Sequence, residues 1–101
     1  MSKSYGRFSD FYPFYLSEHR NPTCRRLHFA GSTLVLITLL ALMVTGRWRW
    51  WFLMPIFGYG FAWIGHFFFE HNRPATFKHP LYSLIGDWVM FRDIIAGKLP
   101  L

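Results

Sequence analysis

Six residues of this chain are candidate ligands for a metal ion: five histidines and Glu70. The histidines are His19, His28, His66, His71 and His79. Imidazole nitrogen and carboxylate oxygen are ligands that suit divalent iron, manganese or zinc. Cys24 is the only cysteine, which excludes an internal disulfide and a thiolate cluster. The question is which of these side chains the fold brings together.

The composition favours a membrane environment. Hydrophobic residues make up 52% of the 101 residues and aromatic residues 22%, more than so small a soluble domain can cover. The net charge is +6, but the two longest apolar runs contain no Lys, Arg, Asp or Glu. Basic and aromatic residues are therefore not interleaved as nucleic-acid binding requires, and we expect no nucleic-acid partner. The polar first ten residues do not fit a signal peptide.

Two segments have the length and composition of transmembrane helices. They cover about residues 27–45 and 50–69, and at about 1.5 Å per residue each is long enough for a hydrocarbon core of roughly 30 Å. Asn21 is expected to cap the first helix, with Pro22 at its first position. The turn between the two segments is too short for anything but an antiparallel hairpin. Three glycines of the second segment offer small surfaces for close helix contact, namely Gly58, Gly60 and Gly65.

A short amphipathic helix is predicted on each side of the hairpin. Ser9 or Asp10 can cap the first, with Pro13 in its opening turn. The second follows Pro80, and its apolar residues recur at helical spacing: Leu81, Leu84, Ile85, Trp88, Phe91 and Ile95. We expect both helices to lie on the membrane surface, although a third span at the C-terminal end stays possible. The predicted fold is thus a single all-α membrane domain over residues 1–101, a two-span transmembrane helical hairpin flanked by interfacial helices.

Basic residues predict the orientation of the hairpin. They are concentrated on the two outer flanks, and the connecting turn carries only Arg47 and Arg49. The flanking residues are Lys3, Arg7, Arg20, Arg25, Arg26, Arg73, Lys78, Arg92 and Lys98. The positive-inside rule therefore places both termini in the cytoplasm. The expected membrane is the inner membrane of a bacterial cell or the endoplasmic reticulum of a eukaryotic one.

An antiparallel hairpin places His28 and His66 at the same depth, because one begins the first span and the other lies near the end of the second. His19 ends the preceding helix close by. In an α-helix Glu70 lies about 40° round from His66, so both side chains should point the same way. Ionisable residues in a membrane span are candidates for a functional site. His71 and His79 are read as surface residues.

Purely structural roles stay open for these residues. His28 can be an interfacial histidine bonded to backbone, and Glu70 can pair with Arg73 three residues on. From spacing alone, the residues indicate a metal site and do not indicate its reaction.

Two motifs resemble those of a known family. The stretch Phe11-Tyr12-Pro13-Phe14-Tyr15, followed by His19-Arg20-Asn21-Pro22 and then His28, is similar to the opening motif of the DUF962, or Mpo1-like, proteins. Gly65-His66, Phe69-Glu70 and Arg73-Pro74-Ala75 resemble the second motif of that family. Both motifs stand in order at successive borders between polar and apolar sequence.

The resemblance implies a multi-pass membrane enzyme of fatty acid α-oxidation. The family's characterised eukaryotic member is an iron(II)-dependent dioxygenase that removes one carbon from 2-hydroxy fatty acids. Carried over by position, the implied metal ligands are His19, His28, His66 and Glu70, with His66 and Glu70 also the expected catalytic residues. The implied partners are the bilayer, a 2-hydroxy fatty acid and dioxygen. Substrate contacts are expected from Trp63, Phe67, Arg25, Arg26 and Arg73, although the arginines also serve as orientation charges.

One departure from the family pattern concerns length. Only residues 29–65 separate His28 from His66, whereas the eukaryotic form has a much longer membrane region there. The substrate tunnel is then smaller, or a second subunit of a homo-oligomer completes it. This shortening motivates an alternative function, a non-catalytic membrane protein that binds lipid or a partner. A zinc-dependent hydrolase is a third reading, which lacks an obvious separate general base.

Overall fold

A computed structural model of the chain describes residues 5–100, so Lys3 lies outside the described residues. Helices joined by turns account for this part of the chain, and it contains no strand. The four α-helices are α1 (Phe8–Ser17), α2 (Pro22–Thr45), α3 (Leu53–Ile64) and α4 (Pro80–Ile95). A 3₁₀ turn at Trp48–Trp50 precedes α3, a π-helical turn at Gly65–Glu70 continues it, and a second 3₁₀ turn lies at Ala75–Phe77.

The predicted hairpin is formed by α2 and by the segment Trp48–Glu70. These are the two helical segments of the described chain that are long and apolar enough to cross a membrane, with 24 and 23 residues. Asn21 caps α2 as predicted, since its side-chain oxygen accepts hydrogen bonds from Thr23 N–H and Cys24 N–H. Pro22 occupies the first turn, and Gly46, with φ of 71°, ends the helix in the left-handed conformation.

Two glycines let the hairpin helices approach closely. A Cβ on Gly31 would lie 2.8 Å from the carbonyl oxygen of Phe57, and one on Gly65 would lie 2.8 Å from Cys24 Sγ. Gly58 makes an ordinary contact with Val35, whereas a Cβ on Gly60 would meet nothing within 4 Å. The prediction of glycine contacts is therefore right for Gly58 and Gly65 and wrong for Gly60. The two close contacts are equally short, and the one at Gly65 lies beside His66.

Helix α1 begins earlier than the capping residues predict. Its N-cap is Arg7, without a side-chain cap, while Asp10 lies in the first turn and pairs with Arg7 at 3.2 Å. Pro13 consequently falls inside the helix. Tertiary packing explains the extension, because the Phe8 ring contacts Tyr82 of α4 with centroids 6.0 Å apart.

Helix α4 packs against α1 and α2 with the face opposite to its apolar stripe. Its buried residues are Ser83, Gly86, Met90, Asp93 and Ile94. Leu81, Leu84, Ile85 and Ile95, four of the six residues of the apolar stripe, are exposed. Gly86 allows this packing, since a Cβ there would lie 3.0 Å from the Tyr15 ring. With 16 residues, α4 is not among the helices of the described chain that are long and apolar enough to cross a membrane.

Candidate metal centre

Three histidines from three elements meet at one end of the hairpin, which we call the histidine end. His19 follows α1, His28 lies on α2, and His66 lies on the π turn. All three are buried, with exposed fractions of 1%, 6% and 2%. Nε2 of His19 lies 3.1 Å from Nε2 of His28 and 3.0 Å from Nε2 of His66. Within the described residues these three form a group of side chains that could hold a metal ion.

The other nitrogen of each ring is held by an oxygen atom. Nδ1 of His19 lies 2.6 Å from the Tyr15 carbonyl, and Nδ1 of His28 lies 3.0 Å from the Cys24 carbonyl. Nδ1 of His66 lies 2.8 Å from Asn72 Oδ1. The Asn72 amide is oriented by its own Nδ2, which donates to the Glu18 carbonyl at 3.2 Å. Oxygen acceptors at all three Nδ1 atoms place the ring protons there, and such partners typically fix the orientation of metal-binding histidines.

This tautomer leaves three unprotonated Nε2 atoms facing one another. The lone pair of His19 Nε2 lies about 3 Å from each of the other two, and such lone pairs repel unless a cation lies between them. Two nitrogens that each lie about 2.1 Å from one ion, at right angles, are about 3.0 Å apart, which matches the separations of 3.0 and 3.1 Å. The three histidines therefore fit a divalent metal ion as neutral ligands.

Burial keeps His19 in the neutral form. It lowers the pKa of His19 well below its usual range, and the neighbouring His28 and His66 rings add to this effect. The Tyr15 ring also stacks on the His19 ring, with centroids 4.1 Å apart. A neutral imidazole is the form that binds a metal.

The π turn explains how His66 and Asn72 meet. A π turn widens the helix by one residue, and such turns occur often at functional sites. It ends at His71, whose φ of 58° is left-handed, and Asn72 N–H then donates to the His66 carbonyl at 3.1 Å. The chain thus folds back over the His66 ring.

Glu70, the expected fourth ligand, does not join the three histidines. Its carboxylate accepts a hydrogen bond from Asn21 N–H at 2.6 Å. The expectation assumed α-helical rotation after His66, which the π turn replaces. Asn21 Nδ2 also donates to the Phe69 carbonyl at 3.3 Å. Glu70 therefore joins the start of α2 to the end of the second hairpin segment and supports the three-histidine group, the candidate metal group, from outside.

His71 and His79 lie apart from the metal group, as expected. His71 is exposed. The His79 ring packs against Phe11, with centroids 5.3 Å apart.

The residues expected to contact substrate are only partly near the histidines. Arg25 donates to the carbonyls of His19, Arg20 and Pro100, so it holds the backbone around the turn after α1. Arg26 and Arg73 are exposed. The Trp63 side chain lines a small cavity beside the histidines, and the Phe67 ring contacts the exposed Phe77 ring.

Two neighbouring cavities reach the histidines. The larger, about 240 Å³, is a mostly apolar cleft between α2, α3 and α4, with His28 and Asp87 among its walls. The smaller, about 10 Å³, is bordered by all three histidines and by Tyr15, Ser83 and Asp87. Burial raises the pKa of the Asp87 carboxyl to about 6, although the hydrogen bond from Tyr15 opposes the shift. An apolar cleft leading to polar groups is the arrangement expected of a small-molecule site.

Sequence reasoning missed four residues of this region: Tyr15, Asn72, Ser83 and Asp87. Ser83 and Asp87 had a sequence signal, since two polar residues four apart on an otherwise apolar helix share one face. Tyr15 stands in the first family motif, four residues before His19, whereas Asn72 had no signal, because the π turn brings it to His66.

The fold and the three histidines define a class, a small helical protein with a buried candidate metal site beside an apolar cleft. The family model described as "Mpo1-like: 2-hydroxy-palmitic acid dioxygenase Mpo1-like" matches residues 5–99, and the chain belongs to that family. Comparisons with curated proteins and with solved structures gave no significant match.

Proposed function

We propose that this chain is a membrane-embedded, iron(II)-dependent dioxygenase that shortens 2-hydroxy fatty acids by one carbon. The observation that carries the proposal is the convergence of three Nε2 atoms whose rings are each anchored through Nδ1. The name of the family supports the substrate class and the reaction type. The proposed ligands are His19, His28 and His66.

Exposed apolar surface supports the membrane location. Only 22% and 17% of the two membrane-length windows are buried, whereas the core helix of a soluble protein is mostly buried. The exposed stripe of α4 extends this surface at the histidine end. Apolar patches of this size need a covering layer, and lipid supplies one. The basic flanks support a cytoplasmic location for both termini.

The proposed reaction balances without an external reductant. Breaking the bond between the carboxyl carbon and the hydroxyl-bearing carbon gives the shorter acid, carbon dioxide and water. The four electrons that this oxidation releases reduce one dioxygen. Iron(II), when bound, supplies the capacity to activate dioxygen.

The protein's own residues bind and shield the reacting groups. The acyl chain lies in the apolar cleft and the head group at its polar end, beside His28 and Asp87. One chain supplies all three histidines and the cleft, so the metal group needs no second subunit. Tyr15, Cys24 and Asn72 hold the rings through Nδ1 and exclude water from that side.

Purified protein without a histidine tag tests the proposal. Loaded anaerobically with iron(II), it should bind about one iron per chain. Mixed with oxygen and 2-hydroxyhexadecanoic acid, it should consume one dioxygen for each pentadecanoic acid formed. Zinc-loaded protein is the control, because zinc has no redox chemistry. Stoichiometric iron without oxygen consumption would contradict the proposed reaction and favour a lipid-binding role.

A further inference from the structure

Ser83 carries a buried hydroxyl without a partner. The residue is 1% exposed, and its Oγ makes no hydrogen bond within the described chain. Buried polar groups are nearly always paired, since an unpaired one destabilises the fold. An exception in a native protein calls for a reason, and the reason can be a ligand.

The position of Ser83 points to such a ligand. Its side chain borders the small cavity, together with the three histidines and Asp87. Asp87 lies one helical turn further along α4, on the same face, and also borders the larger cleft. Asp87 therefore stands where the apolar cleft meets the three histidines, and Ser83 faces the small cavity beside them.

Asp87 is held in place by a neighbour of the metal group. Its Oδ1 accepts a hydrogen bond from the Tyr15 hydroxyl, and the Tyr15 ring stacks on His19. A carboxylate has further acceptor capacity on its second oxygen. Ser83 thus offers a donor, and Asp87 offers an acceptor, in adjacent positions.

We propose that Ser83 and Asp87 recognise the head group of a 2-hydroxy acid. Ser83 donates to its carboxylate, and Asp87 accepts from its 2-hydroxyl, so the pair matches two groups on adjacent carbons. This inference rests on the proposed function for its substrate class. Ser83 then raises the affinity for any fatty acid, and Asp87 selects the acids that carry the 2-hydroxyl.

Charge balance favours this assignment. A divalent ion on three neutral histidines carries two positive charges, which the carboxylates of Asp87 and the substrate offset. An acid without the hydroxyl gives Asp87 nothing to accept from, so no hydrogen bond offsets the repulsion between the two carboxylates, which both acids share. A site that hydrogen-bonds a substrate hydroxyl rejects the analogue that lacks it, because its polar group is left unpaired.

Equilibrium binding to zinc-loaded protein in lipid nanodiscs tests the proposal without turnover. The probe is labelled 2-hydroxyhexadecanoic acid, displaced by itself or by hexadecanoic acid. Wild type should prefer the hydroxy acid by at least about 10-fold. Ser83→Ala should lower the affinity for both acids by about 5- to 10-fold and keep the preference for the hydroxy acid. Asp87→Asn, which retains an oxygen for Tyr15, should reduce the preference to about one.

Stability separates a binding role from a structural one. Ser83→Ala removes an unpaired hydroxyl, so its thermal midpoint should be unchanged or higher. The matched control is Ser17→Ala, whose hydroxyl donates to the Phe14 carbonyl at 2.6 Å. That variant should melt slightly lower and bind both acids normally.

Three results would overturn the proposal: no preference in wild type, normal affinities in Ser83→Ala, or a preference retained in Asp87→Asn. Oxygen consumption by the iron-loaded wild type decides the proposed reaction separately. Selective binding without oxygen consumption would support the head-group site and contradict the proposed dioxygenase reaction. Oxygen consumption by the wild type, together with an intact preference in Asp87→Asn, would support the dioxygenase and overturn the head-group site.

Discussion

At the turn of the hairpin Val44 is 78% exposed and Met43 63% exposed, whereas at the histidine end His19 and His66 are almost fully buried. Apolar side chains cover the outside of the first region, whereas the inside of the second holds three histidines beside a buried apolar cluster that includes Phe11, Tyr15 and Met90. This is the reverse of a soluble protein, in which polar groups face outward. The difference indicates that packing specificity is concentrated where α1 and α4 close over the hairpin. The turn region contributes length and apolar surface.

Loss of one histidine ligand should have the largest effect on the histidine end. His66→Ala removes one of three converging nitrogens, so metal affinity should fall by more than about 100-fold, beyond the usual effect of losing a ligand's hydrogen-bond partner. Metal content after dialysis against a chelator measures this. His71→Asn is the control, since Asn tolerates the left-handed backbone there and should retain metal. Equal metal loss in both variants would remove the assignment.

Two leucines of α2 test the turn region. Leu42 is 4% exposed and Leu40 is 61% exposed. Leu42→Ala should cost about 2–5 kcal/mol of unfolding free energy, because it leaves a cavity. Leu40→Ala should cost less than about 0.5 kcal/mol. Chemical unfolding in detergent micelles compares the variants. Equal costs would mean that another surface covers Leu40, which would end the contrast between the two regions.

Two glycines of the second span test the close helix contact. Gly65→Ala forces a methyl group against Cys24, so it should cost about 1–3 kcal/mol and weaken metal binding by displacing His66. Gly60→Ala meets no atom within 4 Å and should cost nothing, since Ala favours helix more than Gly. Thermal unfolding and metal titration of both proteins measure this. A harmless Gly65→Ala would show that the helices can separate there.

Asn72 tests the support of His66. Asn72→Ala removes the acceptor at Nδ1, and metal affinity should fall by about 10- to 100-fold. Asn72→Asp keeps an acceptor oxygen and should stay much closer to wild type. Competitive titration with a chelator of known affinity measures both. If both variants lose affinity equally, the bond to the Glu18 carbonyl is the one that matters.

Much of the fold was readable from the sequence, because it rests on local chemistry. The Asn21-Pro22 cap, the two uncharged runs and the depth shared by His28 and His66 all follow from short-range patterns. The place of His19 beside His28 and His66 also follows, since only a short turn separates His19 from α2. The face of α4 that packs inward was not readable, because the stripe that marks an amphipathic helix there points outward.

The π turn accounts for most of what the sequence did not show at the candidate site. Its extra residue has no signature in Gly65-His66-Phe67, yet it turns Glu70 away from the histidines and brings Asn72 to His66. Tertiary contacts decide such a turn. The roles of Ser83 and Asp87 likewise depend on how α4 packs.

The length of the apolar cleft limits how much of an acyl tail the protein can contact. Along α2 its walls run from His28 to Val35, which is about 10 Å of helix, a third of a hydrocarbon core of roughly 30 Å. A long acyl chain with its head at the histidines outreaches these walls. If the protein acts on such an acid in a bilayer as proposed, the far end of the tail would lie among the lipids rather than against protein. Such a site would contact the first carbons of a tail and would not discriminate between tails of different total length.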